Sequence, residues 1–158
     1  MSSASRSRTE VAHRLRAVLL DPEEAAGLDV HGRIDAAVLV PLYLKDGDLH
    51  AVFTRRRDDM RRHPGEISFP GGRQDDTDDD LVHTALREAE EEIGLPIDAV
   101  EVLEFPLHRL RAGYARRRLL RRGVPFRTDV YCVDEHLIWG ATARIVADLL
   151  ERVPEDLQ

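Results

Sequence analysis

The chain has 158 residues, enough for one compact domain with its own core and too few for two. Hydrophobic residues make up 42% and charged residues 34%, and no apolar run is long enough to span a bilayer, which argues against a membrane partner. A formal net charge of −7 argues against nucleic acid as the main partner, and a single cysteine, Cys132, excludes an intrachain disulfide and suits a reducing, cytoplasmic compartment.

The opening, MSSASRSRTEVAHRL, is basic but lacks the apolar stretch of a secretory signal. It reads as a tail over residues 1–30 that carries a short surface helix, since Val11, Leu15, Val18 and Leu19 have helical spacing and Asp21-Pro22 ends the element. The remainder, 31–158, reads as one domain. Ala36 to Leu44 is an apolar, β-branched strand, Asp46-Gly47 a hairpin turn, and Leu49 to Thr54 the returning strand. A charged loop, RRRDDMRRHPGE, leads to a short strand at Ile67 to Phe69, which Pro70-Gly71-Gly72 breaks into a turn. Leu81, Ala85, Leu86, Ala89 and Ile93 then recur at helical spacing, with one of Thr77, Asp78, Asp79 or Asp80 as N-cap and Gly94 just past the end. This stripe is expected to dock on a sheet. Further on come a strand at Val100 to Phe105, a basic stretch at Arg109 to Arg122, a strand at Asp129 to Val133 and a closing helix at Trp139 to Val153. The alternation indicates an α/β or α+β sandwich.

The chemistry concentrates on the central helix. Glu88 lies three residues before Glu91 and four before Glu92, so the three carboxylates share one side, and Arg87 stands four residues before Glu91 for an ion pair. Alone, an EAEEE run is most simply a solvated acidic face. Here it follows a strand and Gly71-Gly72, whose backbone can approach a metal or a phosphate, and hard oxygen ligands of this kind select Mg²⁺ or Mn²⁺. The arginines of RLRAGYARRRLLRRG read as a solvated helix or loop, Trp139 as a packing anchor, and His83 and Cys132 as structural.

Gly72 to Leu95 resembles the box of the Nudix hydrolases, G-x5-E-x7-R-E-U-x-E-E-x-G-U, whose second half is met by Arg87, Glu88, Glu91, Glu92, Gly94 and Leu95. Ala89 is smaller than the usual aliphatic, and the spacing from Gly72 is one residue longer, with Asp78 where the first Glu would fall. That version resembles the coenzyme A diphosphatase branch. Upstream, VFTRRRDDMRRHPGEISFPGG is similar to the branch signature L-L-T-x-R-[SA]-x3-R-x3-G-x3-F-P-G-G, matched by Thr54, Arg56, Arg61, Gly65, Phe69, Pro70, Gly71 and Gly72, and IWGATARI resembles its closing helix.

The resemblance implies an α/β/α sandwich with a mixed central sheet. It implies hydrolysis of the diphosphate of coenzyme A or its thioesters, to 3′,5′-ADP and 4′-phosphopantetheine or its acyl form. Glu88, Glu91, Glu92 and the Gly72 carbonyl would ligate Mg²⁺ or Mn²⁺; Glu91, Glu88 and Arg87 would serve catalysis; Arg56, Arg61, His63 and Gly71 would bind substrate. ADP-ribose or a related derivative is the alternative substrate, and a catalytically weak nucleotide-binding relic the alternative class. After Leu95 the chain passes almost at once to VLEFPLHRL, so strands and a pocket loop expected there are missing, with a junction near 100–104. A sheet short of strands exposes apolar surface and open edges, which favours a homodimer.

Overall fold

Pro41 divides the first apolar stretch. Lacking an N–H for a ladder, it separates β1 (Ala36–Val38) from β2 (Leu42–Lys45), which join different sheets in place of the single strand expected over Ala36 to Leu44. In the computed structural model, which describes residues 7–20, 24, 34–59, 64–94, 100–121 and 123–157, the Asp46-Gly47 turn then returns the chain into β3 (Asp48–Arg56). Both turn residues have positive φ, 54° and 95°, the hairpin geometry that Asp-Gly favours.

Next come β4 (Ile67–Ser68), β5 (Gly71–Arg73), α2 (Leu81–Ile93), β6 (Val100–Pro106) and α3 (Leu107–Ala112). A hairpin of β7 (Tyr114–Arg121) and β8 (Val124–Val133) leads to β9 (His136–Trp139), α4 (Gly140–Arg152) and a terminal 3-10 turn at Glu155–Leu157. The α+β class holds. In place of one mixed sheet, the strands form three: β1 with β5; β3 with β2, β4 and β6; and β7-β8-β9, every pair antiparallel among the described residues.

Alternate residues of β3 supply the core. Leu49, Ala51 and Phe53 are buried, Phe53 stacks on Phe69 with centroids 4.4 Å apart, and Phe105 closes the cluster at 5.7 Å. Each buried phenylalanine contributes about 1.5–3 kcal/mol. The C-terminal helix α4 packs on β8 and β9 and adds Val146, Leu149 and Leu150 to the same core cluster.

Four expectations change. The leading helix, α1 (Arg8–Arg16), stops short of Leu20, and Leu19 and Leu20 are exposed. Gly71-Gly72 is the start of β5, paired with β1 through Val38↔Gly71 and Ala37↔Gly72, and so extends the structure instead of breaking it. The basic stretch is neither loop nor one long helix: Leu107–Ala112 is helical, and Gly113 releases the chain into β7, with Gly113 O accepting Cys132 N at 2.8 Å. Trp139 ends β9 and caps α4, which begins at Gly140 (φ 71°). It packs on Phe126 with centroids 6.1 Å apart, as an anchor would.

The central helix forms where expected, from Leu81 to Ile93, capped by Asp80 accepting His83 N at 2.7 Å. Its docking is narrower than the stripe predicts. Ala85, Ala89 and Thr84 are buried against the β1–β5 pair, whereas Leu81, Leu86 and Ile93 remain exposed. The β1–β5 ribbon is too small to cover a five-residue stripe.

Candidate active site

The site is assembled where α2 crosses the glycines of β5. Glu88 lies directly on Gly72: a Cβ there would collide with the Glu88 carboxylate. One turn later Glu92 accepts Gly71 N at 3.2 Å. Gly71 itself, at φ 156°, has no room for a side chain, since a Cβ would strike the Ala37 carbonyl and Val38. Both glycines are therefore required by close approach, one to backbone and one to a carboxylate.

Arg87 organises the acids. Its Nε donates to Asp78 Oδ1 at 2.8 Å and its Nη2 to Asp78 Oδ2 at 2.9 Å, a bidentate pair. The same guanidinium reaches Glu91 Oε1 at 3.3 Å, Glu88 Oε1 at 3.2 Å and the Arg73 carbonyl at 3.1 Å. Asp78 also accepts from Thr84 Oγ1 at 3.0 Å and Asp75 N at 2.9 Å, and its side chain is fully buried. These donors, the Arg87 side chain first, hold its carboxyl well below the usual carboxylate range. Asp78 was not among the site residues drawn from the sequence. Its signal was present, an acid six residues after Gly72, but burial against Arg87 is what makes it a positioning residue.

Glu92 moves the other way. Burial raises its pKa, Glu88 nearby adds to the rise, and the Gly71 N–H and Arg56 oppose it. Arg56 ends β3, and its buried Nε meets no hydrogen-bond partner among the described residues. Its neighbour Arg55, on the opposite side of the strand, lines a cleft of about 500 Å³ with Gly65, His136 and Trp139. Arg61 and His63, expected to bind substrate, lie outside the described residues.

The structure therefore brings together Glu88, Glu92, Gly71, Gly72 and Arg87, with the charge of Arg56 acting on Glu92. Glu91 is turned outward, its side chain 60% exposed and linked to the others through Arg87. Among the described residues no three acidic, histidine or cysteine side chains converge closely enough to hold a metal ion. The donor set still fits a hard divalent cation: two carboxylates one helical turn apart sit on a backbone stripped of side chains.

Comparison with protein families matches residues 33–133 to the NUDIX domain. Among curated proteins, the chain is 30% identical over 158 residues to an uncharacterized Nudix hydrolase, NudL, from Yersinia pestis (strain Pestoides F), covering 75% of this chain and 79% of that protein. The same values hold for the NudL of Yersinia pseudotuberculosis (serotype O:1b). Among solved structures, an Ap4A hydrolase from C. elegans matches at TM-score 0.38 and 16% identity, over 75% of this chain and 93% of that one. RenU, a Nudix hydrolase from M. smegmatis, matches at 0.34 and 19%, over 84% of each. With the domain match spanning more than half its residues, and the relatives aligned over three quarters of it, the chain belongs to the Nudix hydrolase family.

Proposed function

We propose that this chain cleaves the diphosphate of coenzyme A or its thioesters with Mg²⁺ or Mn²⁺, in a cytoplasmic setting. Family membership supports the coarser frame, hydrolysis of a nucleoside diphosphate derivative. The observation that carries the reading is the placement of Glu88 and Glu92 on the bare backbone of Gly71 and Gly72, supported by the charge of Arg56 acting on Glu92 and by its buried Nε, unpartnered among the described residues. Glu88, Glu92 and the Gly72 carbonyl would hold the ion, and Glu91, tied to Glu88 through Arg87, would have to swing inward to join them. A divalent cation held there supplies Lewis acidity and offsets the charge of the diphosphate.

The chain's own groups supply the rest. Arg87, fixed by Asp78, orients Glu88 and Glu91. An exposed Glu91 or a Glu92 with raised proton affinity takes the proton of the attacking water. Arg56, with Arg61 and His63 a few positions further along the sequence, grips the phosphates. The upstream spacing from Thr54 to Gly72 is what favours coenzyme A over ADP-ribose.

The test is hydrolysis of coenzyme A and of ADP-ribose by purified protein with Mg²⁺ or Mn²⁺, read by product chromatography. Release of 3′,5′-ADP is expected. Preference for ADP-ribose overturns the choice of coenzyme A, and absence of metal-dependent turnover on either overturns the enzymatic reading. One observation favours a second reading, a nucleotide-binding relic: Glu91 does not converge with Glu88 and Glu92. We also propose an interior shortening near residues 100–104, where the sequence passes almost at once from the acidic helix to VLEFPLHRL. Intact mass of the polypeptide tests that junction.

A further inference from the structure

We infer that two copies of this chain associate by docking the β7–β8 hairpin of each onto the uncovered flank of α2 in the other. Two surfaces of opposite character carry this. The first is the hairpin. Cross-strand pairing puts Arg116, Arg118 and Leu120 of β7 on one face with Asp129, Arg127 and Pro125 of β8. Arg116 leans on Asp129 at 3.6 Å, but Arg118 and Arg127 are directly opposite each other and make no ion pair among the described residues. Like charges in that register repel. Beyond them on the same face Leu120 is 73% exposed, and at the tip Val124, which points to the other face, is 65% exposed. A two-stranded ribbon that ends in uncovered apolar residues and carries unneutralised arginines is unusual in a chain of net charge −7.

The second surface is α2. Val82 and Leu86 are 53% and 54% exposed and Ile93 is exposed beside them, on the flank left over when Ala85 and Ala89 pack on β1 and β5. Leu86 and Glu90 are one turn apart, and Asp79 and Asp80 stand at the helix head. Glu90 has no ion pair among the described residues. Apolar residues edged by acids thus match apolar residues edged by arginines, and reciprocal docking generates two such contacts around a two-fold axis. The overall negative charge disfavours a polyanion as the occupant of the hairpin.

The experiment is sedimentation velocity of the full chain across a salt series, with circular dichroism confirming that each variant is folded. A dimer that weakens as salt rises is expected. Leu120→Asp, at an exposed tip, should raise the dissociation constant at least roughly tenfold, as should Arg118→Glu and Glu90→Arg separately. Combining Arg118→Glu with Glu90→Arg should recover most of the loss. A monomer at all concentrations, a dimer indifferent to Leu120→Asp, or failure of the combined charge exchange to recover association would each overturn the pairing. So would a monomer that retards a labelled oligonucleotide through these arginines.

Discussion

The glycines of β5 and the glycine of the β7–β8 turn show opposite ways of using the same residue. At Gly71 and Gly72 the space is taken: by backbone at one, by a carboxylate at the other. At Gly123 (φ 79°) nothing lies within 4 Å, and only the left-handed backbone asks for glycine. The first region is fixed by neighbours from β1 and α2, the second by local geometry alone. In this pair the crowded glycines lie at the candidate site and the open one at an exposed turn.

The largest expected effect comes from the acids. Glu92→Gln or Glu91→Gln should lower coenzyme A hydrolysis by about 10² or more with an unchanged melting temperature, measured by steady-state kinetics and calorimetry. Retention of the rate in both would detach the acids from catalysis.

Next, the two adjacent glycines should separate stability from activity. Gly71→Ala meets backbone and should cost about 1–3 kcal/mol in denaturant unfolding. Gly72→Ala meets the mobile end of Glu88 and should instead depress turnover and metal affinity while sparing the fold. Equal stability losses would mean that Glu88 is not held as described.

The acid-side pH dependence is a smaller effect. Asp78 has a folded pKa below its unfolded value, so its contribution is present above about pH 4 and is lost as pH falls toward the folded value. Melting temperature should therefore fall more steeply between about pH 5 and 3 in the natural chain than in Asp78→Asn. Glu92 has the opposite sign: its raised pKa favours the protonated form, and that contribution fades as pH rises through it. At the hairpin, Gly123→Ala should cost only about 1 kcal/mol, because strain is all it adds.

Much of this was legible in the sequence where a local rule was unopposed. The end of α2 followed from Gly94 and its start from the Thr77 to Asp80 group, of which Asp80 is the cap, and the β2–β3 hairpin followed from Asp46-Gly47. The Arg87–Glu91 pair followed from spacing. Where long-range pairing decided, local rules misled. Gly71-Gly72 has the composition of a turn, yet β1 lies alongside and makes it a strand. The run RRRLLRR shows no clear period, and its strand state comes from pairing with β8. The role of Asp78 was hidden because burial, which depends on Thr84 and Arg87 folding over it, has no sequence period.

One contact links distant parts of the chain. Arg14 of α1 grips Asp156 of the terminal turn through two bonds of 2.7 and 2.6 Å, while Val11 and Leu157 are buried beside them in one cluster. Segments 142 positions apart are thereby neighbours. A short glycine-serine linker should bridge them, and the backbone could be reopened at the Gly123 bend to give a circular permutant that keeps the original architecture.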